Sequence, residues 1–430
     1  MFWFMVILFV LGYSAIALEH PLKINKSASA LVLAVLLWVL FIFGGQEIQT
    51  PDGIVESLRH HLGEIAEIIF FLLGAMTIVE LIDSHEGFRI ITDKIRTQNK
   101  VKLLWIISFI TFFLSAVLDN LTTSIVMVAL LRKLIADKKD RWFFAGLVII
   151  AANSGGAWSP IGDVTTIMLW IGGQITTMNI ILKTFLPGLV SMLVPLAILS
   201  FILKGEIHRP LNIQKDSSSN PTSGRERNLV FFMGVGALLF VPVFKTITHL
   251  PPYLGMLWGL GVLWITTEIL HKSKHEEHKP RLTVAGILRR IDTPSVLFFL
   301  GILLAVAALQ SAGHLSALAQ TLDENIGNLY VINVIIGVLS AIVDNVPMVA
   351  GAMGMYKTAF PTDHYFWEML AYCAGTGGSI LIIGSAAGVA VMGMEKIDFI
   401  WYLKRISCWA LIGYLAGCAL YWAMSLFLFS

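Results

Sequence analysis

Along this chain apolar positions gather into long blocks separated by short polar, charge-bearing stretches. The blocks cover 1–18, 27–45, 63–82, 101–131, 142–170, 182–203, 229–244, 253–270, 294–311, 328–356, 365–394 and 399–429. About 20 apolar residues are what an α-helix needs to cross a bilayer. The pattern therefore predicts an all-α polytopic membrane protein. Block 1–18 has no basic residues ahead of its apolar core, so it is read as a retained helix and not as a signal peptide. The polar stretch 46–62 reads as a loop, with Pro51-Asp52-Gly53 marking a turn.

Charge then decides how the blocks cross. Block 101–131 is preceded by Arg89, Lys94, Arg96, Lys100 and Lys102 and followed by Arg132, Lys133, Lys138, Lys139 and Arg141. Basic residues collect on the cytoplasmic side, so both ends lie there. A single crossing cannot do that. The segment 101–135 is accordingly a re-entrant hairpin with its tip at Leu118-Asp119-Asn120. Block 328–357 carries the echo of that tip, since Ser115-Ala116-Val117-Leu118-Asp119-Asn120 recurs as Ser340-Ala341-Ile342-Val343-Asp344-Asn345. Its flanks are nearly free of Lys and Arg, so this second hairpin enters from outside.

The echo continues downstream of both tips. Asn153-Ser154-Gly155-Gly156 and Gly162-Asp163 come after the first, Gly375-Thr376-Gly377-Gly378 and Gly384-Ser385 after the second, at nearly the same lag. One long unit occurs twice with opposite orientation, the inverted-repeat plan of secondary transporters. Each repeat holds five transmembrane helices, one of them broken, and one re-entrant hairpin. The first repeat spans 1–204, with its broken helix at about 142–171. A cytoplasmic linker spans 205–228, and its run 216–221 has the composition of a flexible connection. The second repeat spans 229–430, with its broken helix at about 365–394, and both termini lie outside.

Composition narrows the function classes. With 57% hydrophobic and 13% charged residues and a mean hydropathy of +0.79, the partner is the lipid bilayer; nucleic acid and a soluble enzyme are excluded. Cys373, Cys408 and Cys418 sit in apolar blocks without metal-ligand spacing and are read as small core residues. No cofactor is implied.

The chemistry gathers at four breaks. The stretch from Asn153 to Asp163 packs three Gly and Pro160 at a depth where an unpaired backbone finds no water, so protein or a cavity must receive the freed groups. Freed carbonyls can ligate a cation there, with Asp163, Thr165 and Thr166 adding side-chain oxygens. An oxygen-lined site of this kind suits a hard cation. Carboxylates at bilayer depth cost at least about 2.5 kcal/mol and usually mark ion or proton pathways, which singles out Asp119, Asp163 and Asp344. Asn120 and Asn345 stand beside two of these carboxylates, to close turns or as ligands or their supports. Glu64, Glu67 and Glu80 are read as interfacial, with Glu67 the one candidate for a proton path. His249, His271, His275 and His278 are read as solvated loop residues. No intramembrane Lys or Arg is expected to offset the carboxylates.

The hairpin tip from Leu118 to Thr123, the run from Ala151 to Thr166 and the stretch from Ser340 to Asn345 resemble the NhaD-type sodium/proton antiporters of the ion transporter superfamily. The resemblance covers nearly the whole chain. It implies exchange of Na+ or Li+ for H+ across a bacterial inner membrane, by a homodimer in which a scaffold holds a mobile transport domain. It also implies functional roles for Asp119, Asn120, Asn153, Asp163, Thr165, Thr166, Ser340, Asn345, Ser379 and Ser385; Asp344 joins them through the repeat. Na+ is expected at Asp119, Asn120, Asp163, Thr165 and Asn345. The same superfamily includes dicarboxylate and other anion carriers, the principal rival reading. Two or three carboxylates facing one site would repel a dianion. The expected mechanism is competition of Na+ and protons for these carboxylates, with alternating access.

Overall fold

The computed structural model describes residues 2–17, 19–45, 48–92, 95, 97–209, 222–272 and 282–427. Lys94, Arg96, Lys215, the linker run 216–221, His275 and His278 lie outside the described residues. Among those described there is no strand, only one isolated bridge between Asn99 and Glu206. The first half runs α1 (Phe2–Ala17), α2 (Lys26–Gly44), α3 (Pro51–Ser84), α4 (Lys100–Leu118), α5 (Asn120–Leu134), α6 (Lys138–Gly156), α7 (Val164–Ile171) and α8 (Thr177–Ile202). The second half runs α9 (Gly224–Thr248), α10 (Pro252–His271), α11 (Thr293–Ser311), α12 (His314–Asn325), α13 (Leu329–Leu339), α14 (Asn345–Tyr356), α15 (Tyr365–Gly377), α16 (Ala386–Glu395), α17 (Phe399–Arg405) and α18 (Ser407–Phe427). Eight of them, α2, α3, α4, α8, α9, α10, α11 and α18, are long and apolar enough to cross a membrane. The protein is an all-α polytopic membrane protein.

Polar residues at the block edges start these helices. Asn25 accepts from the Ser27 amide, Asn99 from Lys102, Asp137 from Asp140 and Asp292 from Ser295, each satisfying an amide that would otherwise lack a partner. The same logic overturns the turn expected at Pro51-Asp52-Gly53. Thr50 caps the Gly53 amide, Pro51 occupies the first helical position and Asp52 sits in the first turn, so α3 begins there. The expected final helix over 399–429 is also two pieces, parted at Ile406.

The helices fall into two packed groups. In one, α1, α2, α3, α9, α10 and α11 pack among themselves; in the other, α4 to α8 pack with α13 to α18. The principal contact between the groups is α11 against α14. Each group takes helices from both halves of the chain.

Both hairpins form. Lys100 pairs with Asp140 at 2.7 Å, while α5 ends four residues before α6 begins, so both ends of the α4–α5 hairpin lie beside the start of α6. The second hairpin, α13–α14, opens beside the start of α15, where Tyr330 stacks on Tyr365 at 5.0 Å and Tyr356 meets Phe366 at 4.7 Å.

The two broken helices run antiparallel. Arg141 near the start of α6 holds Glu395 at the end of α16 at 2.7 Å. At the opposite end Thr362 Oγ1 donates to the Gly173 carbonyl, and the Asp363 amide donates to the Gln174 carbonyl. The breaks therefore meet in the middle. Glu395 also accepts from Arg132, which ties the end of the first hairpin to the same point. Of the cysteines, Cys373 and Cys418 are buried core residues as expected, whereas Cys408 is exposed.

Candidate functional site

Glycine lets the helices that lead into the breaks touch neighbouring backbones. A Cβ on Gly155 would lie 2.1 Å from the Phe112 carbonyl oxygen, and one on Gly377 would lie 2.0 Å from the Gly337 carbonyl oxygen. Each broken helix thus lies flush against the first arm of its own hairpin. Serines lock the two contacts: Ser115 Oγ donates to the Ala152 carbonyl at 2.6 Å and its echo Ser340 donates to the Ala374 carbonyl at 3.1 Å.

Asp163 stands where these four pieces converge. It is 1% exposed and is the N-cap of α7, with Oδ1 accepting from the Thr165 amide at 2.9 Å and Thr165 Oγ1 at 2.8 Å. Oδ2 accepts from Asn120 Nδ2 of the first hairpin. Asn345 Nδ2 of the second hairpin lies at 3.3 Å from Oδ1 and 3.4 Å from Oδ2. One layer out, Asn153 Oδ1 accepts from Asn120, and Asn153 Nδ2 donates to Ser379 Oγ and Ser385 Oγ, each at 3.0 Å. Among the described residues no Lys or Arg lies within ion-pair distance of Asp163. The polar knot joins both hairpins to both breaks.

Several expected site residues have other duties. Thr166 Oγ1 closes a capping box on the Asp163 backbone, and Ser340 supports the α15 backbone. Asp119 caps α5, accepting from the Thr122 amide and Thr122 Oγ1, each at 2.8 Å. Its backbone sits at φ +82°, a region that costs a non-glycine residue about 1–3 kcal/mol and so needs that local support. Asp344 caps the Val346 amide and reaches Lys26 of α2, with 3.7 Å between Nζ and Oδ2. The expectation of no cation near the carboxylates is corrected there.

A family profile described as a citrate transporter matches residues 6–372. Sodium/proton antiporter 1 of Arabidopsis thaliana is 52% identical over 98% of this chain and 72% of its own length. Sodium/proton antiporter 2 of the same plant is 49% identical over 98% of this chain and 99% of its own. The Na(+)/H(+) antiporter NhaD of Alkalimonas amylolytica is 33% identical over 97% of this chain and 89% of its own. The chain belongs to the NhaD-type sodium/proton antiporters.

Sequence reasoning missed three features of this antiporter-family chain. Ser115 was hidden because a lone serine in an apolar helix carries no signal of its own; its echo at Ser340 was the available clue. Glu368, fully buried, pairs with Lys183 at 3.4 Å and accepts from Asn179. His271, expected in a solvated loop, is buried and faces His85 with 2.8 Å between their Nε2 atoms. Such pairs join residues far apart in the chain, so only the fold reveals them.

Two openings flank the knot without reaching Asp163. A cavity of about 260 Å³ lies toward the Gly173 end, lined by Glu64, Glu67, Met168, Ala350 and Lys357 among others. A pocket of about 50 Å³ lies on the Glu395 side, lined by Tyr13, Glu19, Lys26, Asp344 and Ile383 among others. Asp163 sits between them.

Proposed function

We propose that this protein is a secondary active transporter exchanging Na+ and Li+ for H+, with cation and proton competing for Asp163. One observation carries the reading: a buried carboxylate at the junction of two hairpins and two helix breaks, ringed by amides and hydroxyls, with no Lys or Arg within ion-pair distance among the described residues. The names of the relatives, sodium/proton antiporters from plant and bacterium, support the same conclusion.

The ring explains how two different cations can share one carboxylate. As the side chains stand, Asn120 and Asn345 donate N–H groups to Asp163. An arriving Na+ takes the carboxylate and turns those amides so that their oxygens face it, with Thr165 Oγ1 as a further ligand. A proton replaces the ion by neutralising the carboxylate. Both hairpins touch the one acid, so its charge state bears on both halves. The chain is read as two inverted repeats, each moving its hairpin and break against the six-helix group, which exposes Asp163 first to one side and then to the other. That six-helix group is also the proposed scaffold and homodimer face. The membrane is a proton-energised one, proposed as a bacterial inner membrane with both termini outside; the relatives near half identity are plant proteins.

The rival reading is an anion carrier, in line with the citrate named by the family profile. A di- or tricarboxylate at this knot would meet Asp163 at close range, with no Lys or Arg among the described residues close enough to Asp163 to neutralise it. The test is proton flux from proteoliposomes holding an acid-inside pH gradient, on addition of NaCl, LiCl, KCl or sodium citrate. Na+ and Li+ are expected to dissipate the gradient with either anion. A response to citrate alone would sink the antiport reading.

Thr165→Val keeps the size of the side chain and the N-cap bond to the Thr165 amide, but removes the hydroxyl 2.8 Å from Asp163. The expected result is a rise of about tenfold in the KM for Na+, equivalent to about 1.4 kcal/mol, with maximal rate changed less. An unaltered KM removes Thr165 from the ligand set.

A further inference from the structure

The two hairpin tips are copies in sequence, yet their carboxylates are satisfied differently. Three residues after Asp119 stands Thr122, whose amide and hydroxyl take both carboxylate oxygens. Three residues after Asp344 stands Pro347, which has neither an amide hydrogen nor a hydroxyl. Asp344 Oδ1 finds the Val346 amide at 3.2 Å. Its Oδ2 is left to the ammonium of Lys26 at 3.7 Å.

Lys26 is well placed for this and for little else. It is the first residue of α2, Glu19 accepts from its backbone amide at 3.2 Å, and its ammonium lies 4.4 Å from the Phe298 ring centre. Its side chain is 18% exposed and that of Asp344 10%, so the pair is largely shielded from water and screened little by salt. It also crosses the boundary between the two helix groups, since α2 belongs to one and the second hairpin to the other. A relative movement of the groups must lengthen or break it.

We infer that the Lys26 ammonium stands, in this conformation, where a transported cation would otherwise bind Asp344. The inference rests on the antiport reading and adds a residue to it. Lys26 is a tethered competitor: while the groups are docked as here, Asp344 is neutralised from within the protein. When the second hairpin moves relative to α2, the carboxylate becomes available to Na+ or a proton from the Glu395 side, through the small pocket both residues line. Asp119, satisfied by its own helix, has no such dependence on the other group.

The experiment compares Lys26→Gln and Lys26→Arg in proteoliposomes, reading the KM for Na+ and the maximal rate separately at one fixed alkaline pH. Removing the competitor is expected to lower the KM by about fivefold or more, the lower end of ordinary site-to-site coupling. Arg, whose planar fork grips a carboxylate more firmly, is expected to raise it. The Gln effect is expected to vanish in an Asp344→Asn background. Opposite directions for the two substitutions cannot come from general damage to the fold. A KM moving the same way in both variants, or a Gln effect that persists without Asp344, overturns the inference. If the unsubstituted protein moves no protons in response to Na+, the antiport reading itself fails; if it does and Lys26→Gln leaves the KM unchanged, only the role of Lys26 fails.

Discussion

Asp163→Asn is expected to abolish Na+- and Li+-dependent proton movement while the protein still inserts and folds. The amide keeps the shape of the side chain, and Asn is as good an N-cap as Asp, so α7 retains its first turn. Asn120 and Asn345 can turn their amides to offer oxygen to the new NH2 group. What disappears is the charge. A unit charge pair at about 4 Å is worth about 4 kcal/mol at an effective dielectric of about 20, about a thousandfold in affinity. The proton also loses its acceptor, so neither partner of the exchange has a place. The measurement is Na+-driven alkalinisation in proteoliposomes alongside a melting curve for the purified protein. Retained exchange in a folded Asp163→Asn protein would remove Asp163 from the centre of the mechanism.

Gly155→Ala is expected to be nearly as damaging, for a mechanical reason. The added methyl would lie 2.1 Å from the Phe112 carbonyl oxygen and 2.8 Å from its Cα, all of them backbone atoms of α4 that no rotamer change can move aside. The hairpin must back away from the broken helix, which pulls Ser115 from the Ala152 carbonyl and Asn120 from Asp163. Overpacking of this kind costs about 3 kcal/mol or occasionally more. Gly377→Ala, with its methyl 2.0 Å from the Gly337 carbonyl, is expected to do the same to the second hairpin. Gly261→Ala on α10 is the control, because nothing lies within 4 Å of the added carbon. Loss of transport and a lowered melting temperature in the first two, with neither in the third, is the expected pattern. A fully active Gly155→Ala protein would mean that the contact between α4 and α6 is looser than it stands here.

Parts of this fold were plain in the chain. The turn-back between α4 and α5 was expected because two basic clusters flank one apolar block, a pattern no single crossing satisfies. The breaks were legible because glycines and Pro160 crowd into a stretch otherwise apolar enough to span. The start of α3 was not, since Pro and Gly beside Asp fit a turn and a helix N-terminus equally, and only the Thr50 cap distinguishes them. His271 was opaque for a different cause: a histidine at the end of an apolar block looks solvated until its neighbour from another helix is known.

The sequence by itself determined the solvent and the helical class, and it singled out a small set of acids and amides inside the apolar blocks. Those come from composition, charge asymmetry and a repeated motif, which are properties of the chain read in order. Only the tertiary structure decided that Asp163 gathers Asn120, Asn345 and Thr165, that Asp119 and Asp344 serve first as caps, and that Lys26 reaches Asp344 across the boundary between the two groups. The bonds of Asp163 to Asn120 and Asn345 and the pair of Lys26 with Asp344 are distances of a few ångströms between residues far apart in the chain, and hydrogen bonds and ion pairs act only over such distances.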